Sequence, residues 1–265
     1  MLRVLTLNIW NLSGDWRARR VETVEWIDRL APDVVCLQEV VESDAGGNQA
    51  EWLAEHCAGD WFVAYAGRPV MDGVLFGNAV LSRWPIDAQA DDDVPSTPER
   101  EDETQRFVLH ARTNGLDVFS THLSWQYADG VIREKQVLKL AEVVADRADT
   151  SAALPPILAG DFNAEPDSTE MRFLTGLTSL EGRSVYFQDA WRVAGGRGPG
   201  YTWENRNPHA SKEYEPDRRI DYILVGWRRN HTGAGRVEAC RVVCDRVLTE
   251  DWASDHHGLL AELAT

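Results

Sequence analysis

The sequence lacks an excess of positive charge. It carries 27 Lys and Arg against 43 Asp and Glu, which gives a formal net charge of -16. A protein that holds nucleic acid mainly by neutralising phosphates needs clustered basic residues, and only short pairs such as Arg218-Arg219 occur here. We therefore expect no nucleic-acid clamp, although the acidity does not exclude a nucleic-acid substrate. The stretch from Asp91 to Glu103 is strongly acidic, and we expect a solvated loop there.

Cysteine is scarce, and apolar runs are short. The four Cys do not have the CxxC spacing of a zinc or redox site, which predicts buried free thiols. No run approaches the roughly 20 apolar residues that a membrane span needs. The first ten residues alternate like a strand and do not form a signal peptide. We therefore expect no membrane span and predict a cytoplasmic protein.

The sequence does contain short apolar strands that alternate with helices. Helices are predicted for Arg17 to Leu30, whose buried face should include Val21, for Gln49 to His56, and for Ile132 to Ala148. Asn114-Gly115 between RFVLHART and LDVFSTHLS predicts a β-hairpin. Further strands are predicted in MLRVLTLNI, DVVCLQEV, NAVLSRWPI, PPILAGDFN, RRIDYILVG, VEACRVVCDRV and HHGLLAELA. No linker or repeat divides the chain, so we predict a single domain over residues 1–265.

Polar side chains stand at the ends of several of these strands. They are Asn8, Glu39, His122, Asp161 with Asn163, Asp221, and Asp255 with His256. Taken singly, each has a structural explanation: Glu39 could cap a helix, and His122 could be a hydrogen-bonded core histidine. Loops at strand ends are also where sheet proteins carry function. The recurrence of oxygen and nitrogen ligands at successive strand ends therefore favours one shared site.

The same segments carry a family resemblance. TLNIW, LQEV, GNAVLSR, STHLS, AGDFN, RIDYILV and SDHH occur in the order and approximate spacing of the endonuclease/exonuclease/phosphatase superfamily. The sequence resembles this superfamily from Leu5 to His256. GDFN and SDH are weak signals alone, but the ordered set is specific. The resemblance implies an α/β (α+β) four-layer sandwich, in which two mixed β-sheets pack face to face with helices on both outer sides.

Departures from the pattern indicate a branch of the superfamily. Trp10 stands where exonuclease III-like enzymes usually carry an acidic metal ligand, and His122 stands where they tend to use Tyr. The segments TWENRN and DRRID match the inositol 5-phosphatase pattern poorly. The sequence is therefore most similar to the deoxyribonuclease and sphingomyelinase branch.

The resemblance implies a metal site and an acid-base pair. Glu39 would be the main metal carboxylate, helped by Asn8 and Asp255, and such oxygen ligands suit Mg²⁺ or Mn²⁺. His256 would take the proton from the attacking water, because its side-chain pKa lies nearest neutrality. Asp221 would hold the His256 ring in the correct tautomer, as in a catalytic triad.

The resemblance also implies contacts to the substrate phosphate. Asp161 and Asn163 would position the water and a phosphate oxygen, and His122 would donate to the phosphate from the opposite side. Arg106 and Asn78 are secondary candidates for phosphate contact.

These residues predict a divalent-metal-dependent phosphoesterase that hydrolyses a phosphodiester by His-activated water attack. Nuclease-type activity is the leading interpretation, with Tyr201 and Trp203 as possible base-stacking residues. The alternative is a lipid head-group or small-molecule phosphodiesterase or phosphatase, similar to sphingomyelinases. A non-catalytic binding protein with the same fold is disfavoured, because Glu39, Asp161 and His256 are all present. We expect the protein to act as a monomer on a phosphoester substrate.

Overall fold

Two β-sheets packed face to face form the centre of the protein. The computed structural model describes residues 1–96, 104–227 and 232–265. Within these ranges the strands are β1 (Leu2–Asn8), β2 (Val34–Ser43), β3 (Gly47–Asn48), β4 (Phe62–Met71), β5 (Val74–Ser82), β6 (Ile86–Asp93), β7 (Phe107–Thr113), β8 (Leu116–His122), β9 (Ile157–Asp161), β10 (Gln188–Asp189), β11 (Asp221–Val225), β12 (Val237–Val243) and β13 (Gly258–Leu263). The α-helices are α1 (Trp16–Leu30), α2 (Gln49–His56), α3 (Gly130–Arg147), α4 (Thr169–Leu174) and α5 (Ala190–Ala194).

Both sheets are mixed. The first sheet has the strand order β12-β13-β1-β2-β5-β4, with the short β3 paired to β2. The second has the order β10-β11-β9-β8-β7-β6. Each sheet contains one parallel pair, β1 with β2 in the first and β8 with β9 in the second. The parallel pairs bring the carboxyl ends of four strands to one end of the sandwich.

Three apolar layers separate four layers of secondary structure. Side chains alternate along each strand, so Val4 of β1 faces the second sheet and Leu5 faces the outside. Helices α1 and α2 cover the outer face of the first sheet through residues such as Ile27 and Leu53. Helices α3 and α4 cover the outer face of the second sheet. The four-layer sandwich that the resemblance implies is confirmed.

The predicted helices and the hairpin agree closely with the structure. Helix α2 has the predicted bounds, and α1 and α3 differ from their predictions by one or two residues. At the turn between β7 and β8, Asn114 and Gly115 have φ of 48° and 72°, as a type I′ hairpin turn requires. All four cysteines are free and buried. None of the helices in the described residues is long and apolar enough to cross a membrane.

The edge strands β4 and β6 were not predicted from the sequence, and neither were the two-residue strands β3 and β10. Strand β6 occupies Ile86–Asp93, so the acidic stretch begins in a strand and not in a loop, while residues 97–103 of that stretch lie outside the described residues. Arg68 of the neighbouring β4 forms ion pairs with Asp91 and Asp93. Charged residues are common on edge strands, where they prevent pairing with other chains. They also remove the apolar alternation by which a strand is recognised.

The buried face of α1 also differs from the prediction. Val21 is 50% exposed, whereas the neighbouring Glu22 is fully buried. The Glu22 carboxylate accepts hydrogen bonds from the backbone N–H groups of Leu248 and Thr249. These hydrogen bonds satisfy the buried Glu22 carboxylate. The inner face of α1 therefore includes Glu22, whereas the apolar pattern predicted Val21 there.

Gly160 allows β9 to approach β8 at the residue before Asp161. Its φ is 148°, and a Cβ atom at this position would lie 1.9 Å from the backbone oxygen of Thr121. Any side chain would therefore push the two strands apart. The glycine fixes the position of the following carboxylate.

We predict that Gly160→Ala lowers the free energy of unfolding by more than about 2 kcal/mol, because backbone strain and overlap with a rigid neighbour add together. Gly115→Ala is the matched control, since Gly115 also has a positive φ but has nothing within 4 Å of its added Cβ. It should cost about 1 kcal/mol. Urea denaturation followed by circular dichroism measures both. Equal losses at the two positions would contradict this explanation.

Candidate active site

A cleft of about 330 Å³ opens at the end of the sandwich where the parallel strands finish. Most of the site residues predicted from the sequence line it. These are Glu39, Arg106, His122, Asp161, Asn163, Asp255 and His256. Asn8 and Asp221 lie directly behind this surface and are buried. The structure thus brings together side chains from both sheets and from opposite ends of the chain.

Asp161, the last residue of β9, is the centre of the site. Its Oδ2 accepts a hydrogen bond of 3.1 Å from Asn8 Nδ2, which belongs to the other sheet. Its Oδ1 accepts one of 2.9 Å from the backbone N–H of Asn163. The Nε2 atoms of His122 and His256 lie 3.5 and 3.7 Å from Oδ2. This one carboxylate therefore contacts side chains of both sheets and both histidines of the site.

His256 and Asp221 form a buried pair. His256 Nδ1 lies 2.9 Å from Asp221 Oδ2, and the Trp203 ring packs edge-to-face on the imidazole at 4.9 Å between centroids. Burial lowers the pKa of His256, but the Asp221 and Asp161 carboxylates outweigh it and raise that pKa to about 10. The pair fixes the ring orientation and leaves Nε2 directed toward Asp161.

Glu39 stands in a strained backbone conformation. It has a φ of 60°, and the register of β2 against β5 shifts between Leu37 and Val40, which is a β-bulge. Its two carboxylate oxygens accept hydrogen bonds from Asn8 Nδ2 at 3.1 Å and Asn11 Nδ2 at 2.7 Å. Strain of this kind persists where surrounding contacts enforce it, often at functional sites.

Burial perturbs the other titratable groups of the cleft. It raises the pKa of Asp161 to about 7, with the Asp221 carboxylate adding to the effect. It also raises the pKa of Asp255 to about 7, where Glu39 adds and His256 opposes. The pKa of His122 falls well below its ordinary value because of burial and then because of the Arg106 charge. The carboxylates of Asp161 and Asp255 thus lie near other acidic groups in a part of the cleft where water solvates them poorly.

Two groups of side chains could hold a metal ion. Asp161, Asp221 and His256 have ligand atoms within 4.8 Å of one another. Glu39 and Asp255, the carboxylates implied by the resemblance, line the open cleft. Asp221 is fully buried and already contacts His256, whereas neither Glu39 nor Asp255 has a Lys or Arg ion-pair partner in the described part of the chain. We favour the second group for this reason.

The Asn8 side chain is oriented differently from the expectation. Its Nδ2 faces the carboxylates of Glu39 and Asp161, and its Oδ1 accepts a hydrogen bond of 3.0 Å from the backbone N–H of Trp10. In this orientation Nδ2 donates to both carboxylates, and the metal-ligand role predicted for Asn8 stays a prediction. Asn8 holds two carboxylates together, one from each sheet.

The two secondary candidates lie in different positions. Arg106 is 6% exposed and lines the cleft beside His122. Asn78 is buried and lines a small cavity together with Arg106 and His122, and its Nδ2 lies 3.5 Å from the backbone oxygen of Phe107. Asn78 is therefore placed to support the cleft wall. Trp203 lines the cleft, whereas Tyr201 is not among the described residues that do.

Several cleft residues were not identified from the sequence. They include Asn11, Phe76, Trp125, Glu213, Glu215 and Arg218. Most of them follow strands or lie in long loops, where no periodic pattern indicates which way a side chain points. Asn11 had one available signal, because it lies three residues after Asn8 in the same strand-end segment. Arg218 was visible only as half of a basic pair.

A buried arginine holds the loop that carries Asn11. Arg19 of α1 is fully buried, and burial lowers its pKa to about 10. Its guanidinium donates to the backbone oxygens of Ile9, Trp10, Asn11, Ser13 and Ala253. Trp10 and Asn11 have positive φ values of 56° and 42°. Arg19 therefore stabilises a strained loop whose Asn11 side chain reaches Glu39.

Comparison with known proteins gives consistent matches. A family model described as the endonuclease/exonuclease/phosphatase family matches residues 5–256. The Escherichia coli (strain K12) protein YbhP, described as uncharacterized, is 32% identical over 179 residues, which cover 61% of this chain and 66% of YbhP. The match thus spans slightly less than two thirds of that relative.

Solved structures share the fold. The structure of an endonuclease/exonuclease/phosphatase from Beutenbergia cavernae DSM 12333 has a TM-score of 0.67 and 25% identity, covering 99% of this chain and 71% of that one. That of D. rerio TDP2 complexed with single strand DNA product has a TM-score of 0.75 and 19% identity, covering 100% and 99%.

We predict that Arg19→Lys lowers the free energy of unfolding by about 2 to 4 kcal/mol, because an ammonium group cannot satisfy five carbonyls and stays buried. Arg17→Lys, at an exposed position of the same helix, is the control and should change stability by less than about 0.5 kcal/mol. Thermal and chemical unfolding measure both variants. A small loss at Arg19 would show that the loop does not depend on its guanidinium.

Proposed function

The chain belongs to the endonuclease/exonuclease/phosphatase family, and from this premise we propose that it is a divalent-metal-dependent phosphodiesterase in which His256 activates water. One observation carries the proposal: the His256–Asp221 pair meets the same open cleft as the carboxylates of Glu39 and Asp255. A general base and a set of hard oxygen ligands within one cleft are what metal-assisted hydrolysis of a phosphodiester requires.

The donor set of the cleft fits Mg²⁺ or Mn²⁺. Among the described residues, Glu39 accepts hydrogen bonds from the neutral amides of Asn8 and Asn11, and Asp255 Oδ1 accepts one of 3.0 Å from Ser254. These neutral partners do not offset the negative charge of a carboxylate, which a divalent cation would do. Glu39 and Asp255 would hold the metal. Asn8 would hold Glu39 in position.

The proton transfer is assigned to His256. Because Asp221 accepts from Nδ1, Nε2 of the neutral ring is free to take a proton from water. Bound Mg²⁺ or Mn²⁺ would polarise a phosphate oxygen and bring positive charge that lowers the pKa of His256 toward neutrality. After the proton arrives, Asp221 and Asp161 stabilise the imidazolium.

The remaining polar residues are assigned to the phosphate. His122, Arg106 and Asn163 all line the cleft. Their N–H groups would contact non-bridging oxygens and keep the phosphorus in line with the attacking water. Asp161 lies between His122 and His256, and it would orient the water by accepting its second hydrogen.

Nucleic acid is the leading substrate proposal, and it rests on the cleft. Trp10, Trp125 and Trp203 line it, and such rings stack on nucleobases. The likeness to D. rerio TDP2 concerns the fold alone. The second candidate is a small or lipid-derived phosphodiester, which is favoured by the acidic side chains of Glu213 and Glu215 on the same cleft.

We predict hydrolysis of bis(p-nitrophenyl) phosphate in the presence of Mg²⁺ or Mn²⁺, and its arrest by EDTA. His256→Ala should lower kcat by about 10²- to 10⁴-fold, the usual contribution of general acid-base catalysis. Glu39→Gln should weaken Mn²⁺ binding, measured by isothermal titration calorimetry, by at least about 10-fold. The two variants thus separate proton transfer from metal binding.

Two control variants accompany this experiment. His56→Ala and Glu51→Gln change the same residue types on α2, at exposed positions away from the cleft. Both should keep the wild-type rate and the wild-type Mn²⁺ affinity. Unchanged turnover of His256→Ala would refute the assignment of the base, and unchanged Mn²⁺ affinity of Glu39→Gln would refute the assignment of the metal ligand.

The two substrate candidates differ in their expected salt response. On single-stranded DNA, kcat/KM should fall several-fold between about 50 and 200 mM salt, because a polyanion releases counterions on binding. On bis(p-nitrophenyl) phosphate it should stay nearly constant. Hydrolysis of sphingomyelin or a glycerophosphodiester, with DNA and RNA left intact, would instead select the second candidate.

A further inference from the structure

Arg218 is a buried arginine on the cleft surface that the chemistry above does not use. Its side chain is 7% exposed, and its guanidinium forms one ion pair, through Nη2, with Glu215. The Tyr127 ring lies against it, with Cζ 4.6 Å from the ring centroid. Within the described ranges, Nη2 is the only guanidinium nitrogen with a hydrogen-bond acceptor, and Nε is buried without one. Most of its hydrogen-bonding capacity is therefore unused.

The backbone fixes Arg218 relative to His256. Arg218 and Trp203 exchange backbone hydrogen bonds of 2.8 and 3.0 Å, and Trp203 also forms a β-bridge with His256. The Trp203 ring contacts both side chains, with its centroid 6.0 Å from Arg218 Cζ and 4.9 Å from the imidazole centroid. Arg218 is thus held one aromatic side chain away from the proposed base.

A second buried arginine holds the facing loop. Arg133 of α3 pairs with Glu170 at 2.9 Å and donates to the backbone oxygens of Ser124 and Gln126 at 3.1 and 2.6 Å. This loop follows β8 and carries Trp125, which is 46% exposed on the cleft, and Tyr127, which covers Arg218. The aromatic rings and the guanidinium are therefore fixed with respect to each other.

The neighbouring Arg219 serves as a comparison, because it pairs with a carboxylate away from the cleft. Arg219 forms a bidentate ion pair with buried Asp189, at 3.1 and 2.7 Å. Both terminal nitrogens of Arg219 are thus paired inside the protein, although its Nε has no acceptor, and the residue does not line the cleft. Arg218 faces the opposite way, and its one partner, Glu215, itself lies on the cleft surface. That partner can therefore exchange with an anion that enters the cleft.

We propose that Arg218 forms a subsite for a second phosphate of the substrate, next to the phosphate that is hydrolysed. The proposal rests on the phosphodiesterase function proposed above. Arg218 forms no direct contact with His256, Asp161 or His122 in the described part of the chain, so it serves a neighbouring group and not the scissile phosphate. A planar guanidinium binds phosphate oxygens in pairs. The exposed ring of Trp125 would cover the nucleoside between the two phosphates.

This subsite explains how an acidic cleft can accept a nucleotide chain. Glu215 neutralises Arg218 in the free protein, and a phosphate that takes its place keeps the guanidinium paired. Substrates with a single phosphate gain nothing from the exchange. The protein would therefore select substrates that carry two neighbouring phosphates over simple diesters.

The test compares three dinucleotides that differ only in their terminal phosphate. They are thymidylyl-(3′→5′)-thymidine and its forms with a 5′- or a 3′-terminal phosphate, each assayed with Mn²⁺. For wild type, kcat/KM for one of the phosphorylated forms should exceed that for the unphosphorylated form by about 10-fold, the contribution of a charge-assisted hydrogen bond. This higher kcat/KM should result from a lower KM. Arg218→Gln should abolish it, and Arg218→Lys should retain part of it.

Two further variants sharpen the result. Glu215→Gln removes the competing carboxylate and should increase the gain from the terminal phosphate. Arg183→Gln removes one positive charge at an exposed position away from the cleft and should leave the gain unchanged. Thermal unfolding of each variant shows whether it folds. The proposal is overturned if Arg218→Gln lowers kcat/KM equally for all three dinucleotides, or if wild type does not distinguish them.

A binding experiment separates failure of the subsite from failure of the proposed function. Thymidine 3′,5′-bisphosphate and thymidine 5′-monophosphate are titrated into wild type and Arg218→Gln with Mg²⁺ present. Wild type should bind the bisphosphate about 10-fold more tightly, and the variant should lose this preference. If neither a dinucleotide nor bis(p-nitrophenyl) phosphate is hydrolysed but this preference is found, the phosphodiesterase assignment is wrong and the subsite stands. If hydrolysis occurs without the preference, the subsite is wrong.

Discussion

The carboxylate of Asp161 joins the two sheets at the end where the cleft opens. It accepts an N–H from Asn8 of the first sheet and lies beside His122 and His256. A buried carboxylate is unfavourable unless neighbouring groups satisfy it. The hydrogen bonds that stabilise this charge are therefore the same contacts that set the spacing of the site. If the sheets separated at this end, the site side chains would lose their arrangement and the Asp161 carboxylate would become exposed.

Two buried arginines hold the loops at the rim of the cleft in fixed positions. Arg19 holds the loop after β1, and Arg133 holds the loop after β8, mainly through bonds to backbone carbonyls. Loops are usually the most mobile parts of a fold, but these two are tied to helices on opposite outer layers. The aromatic and amide side chains they carry are positioned before any substrate arrives, which lowers the entropic cost of binding.

The sequence predicted which residues meet, but it predicted less well how they face one another. Asp161 ends a strand that is buried on both faces, and such a strand leaves a clear apolar pattern that stops where the polar residue begins. Glu39 lies at the bulge inside β2 and His256 lies two residues before β13, so each also stands beside an apolar run. The orientation of the Asn8 amide leaves no such pattern, because it depends on a backbone N–H two residues away. Arg218 was missed for a similar reason: its burial depends on Glu215 and on tertiary contacts.

The last strand has a central position. β13 lies between β12 and β1, and Leu2 pairs with Leu263. Because synthesis runs from the N-terminus, β1 is synthesised long before β13, its neighbour in the sheet. His256 lies two residues before β13, so this end of the cleft is completed at the same late moment. Pairing of β1 with β13 and assembly of the cleft thus depend on the same late-synthesised segment, and a nascent chain that lacks this segment has neither.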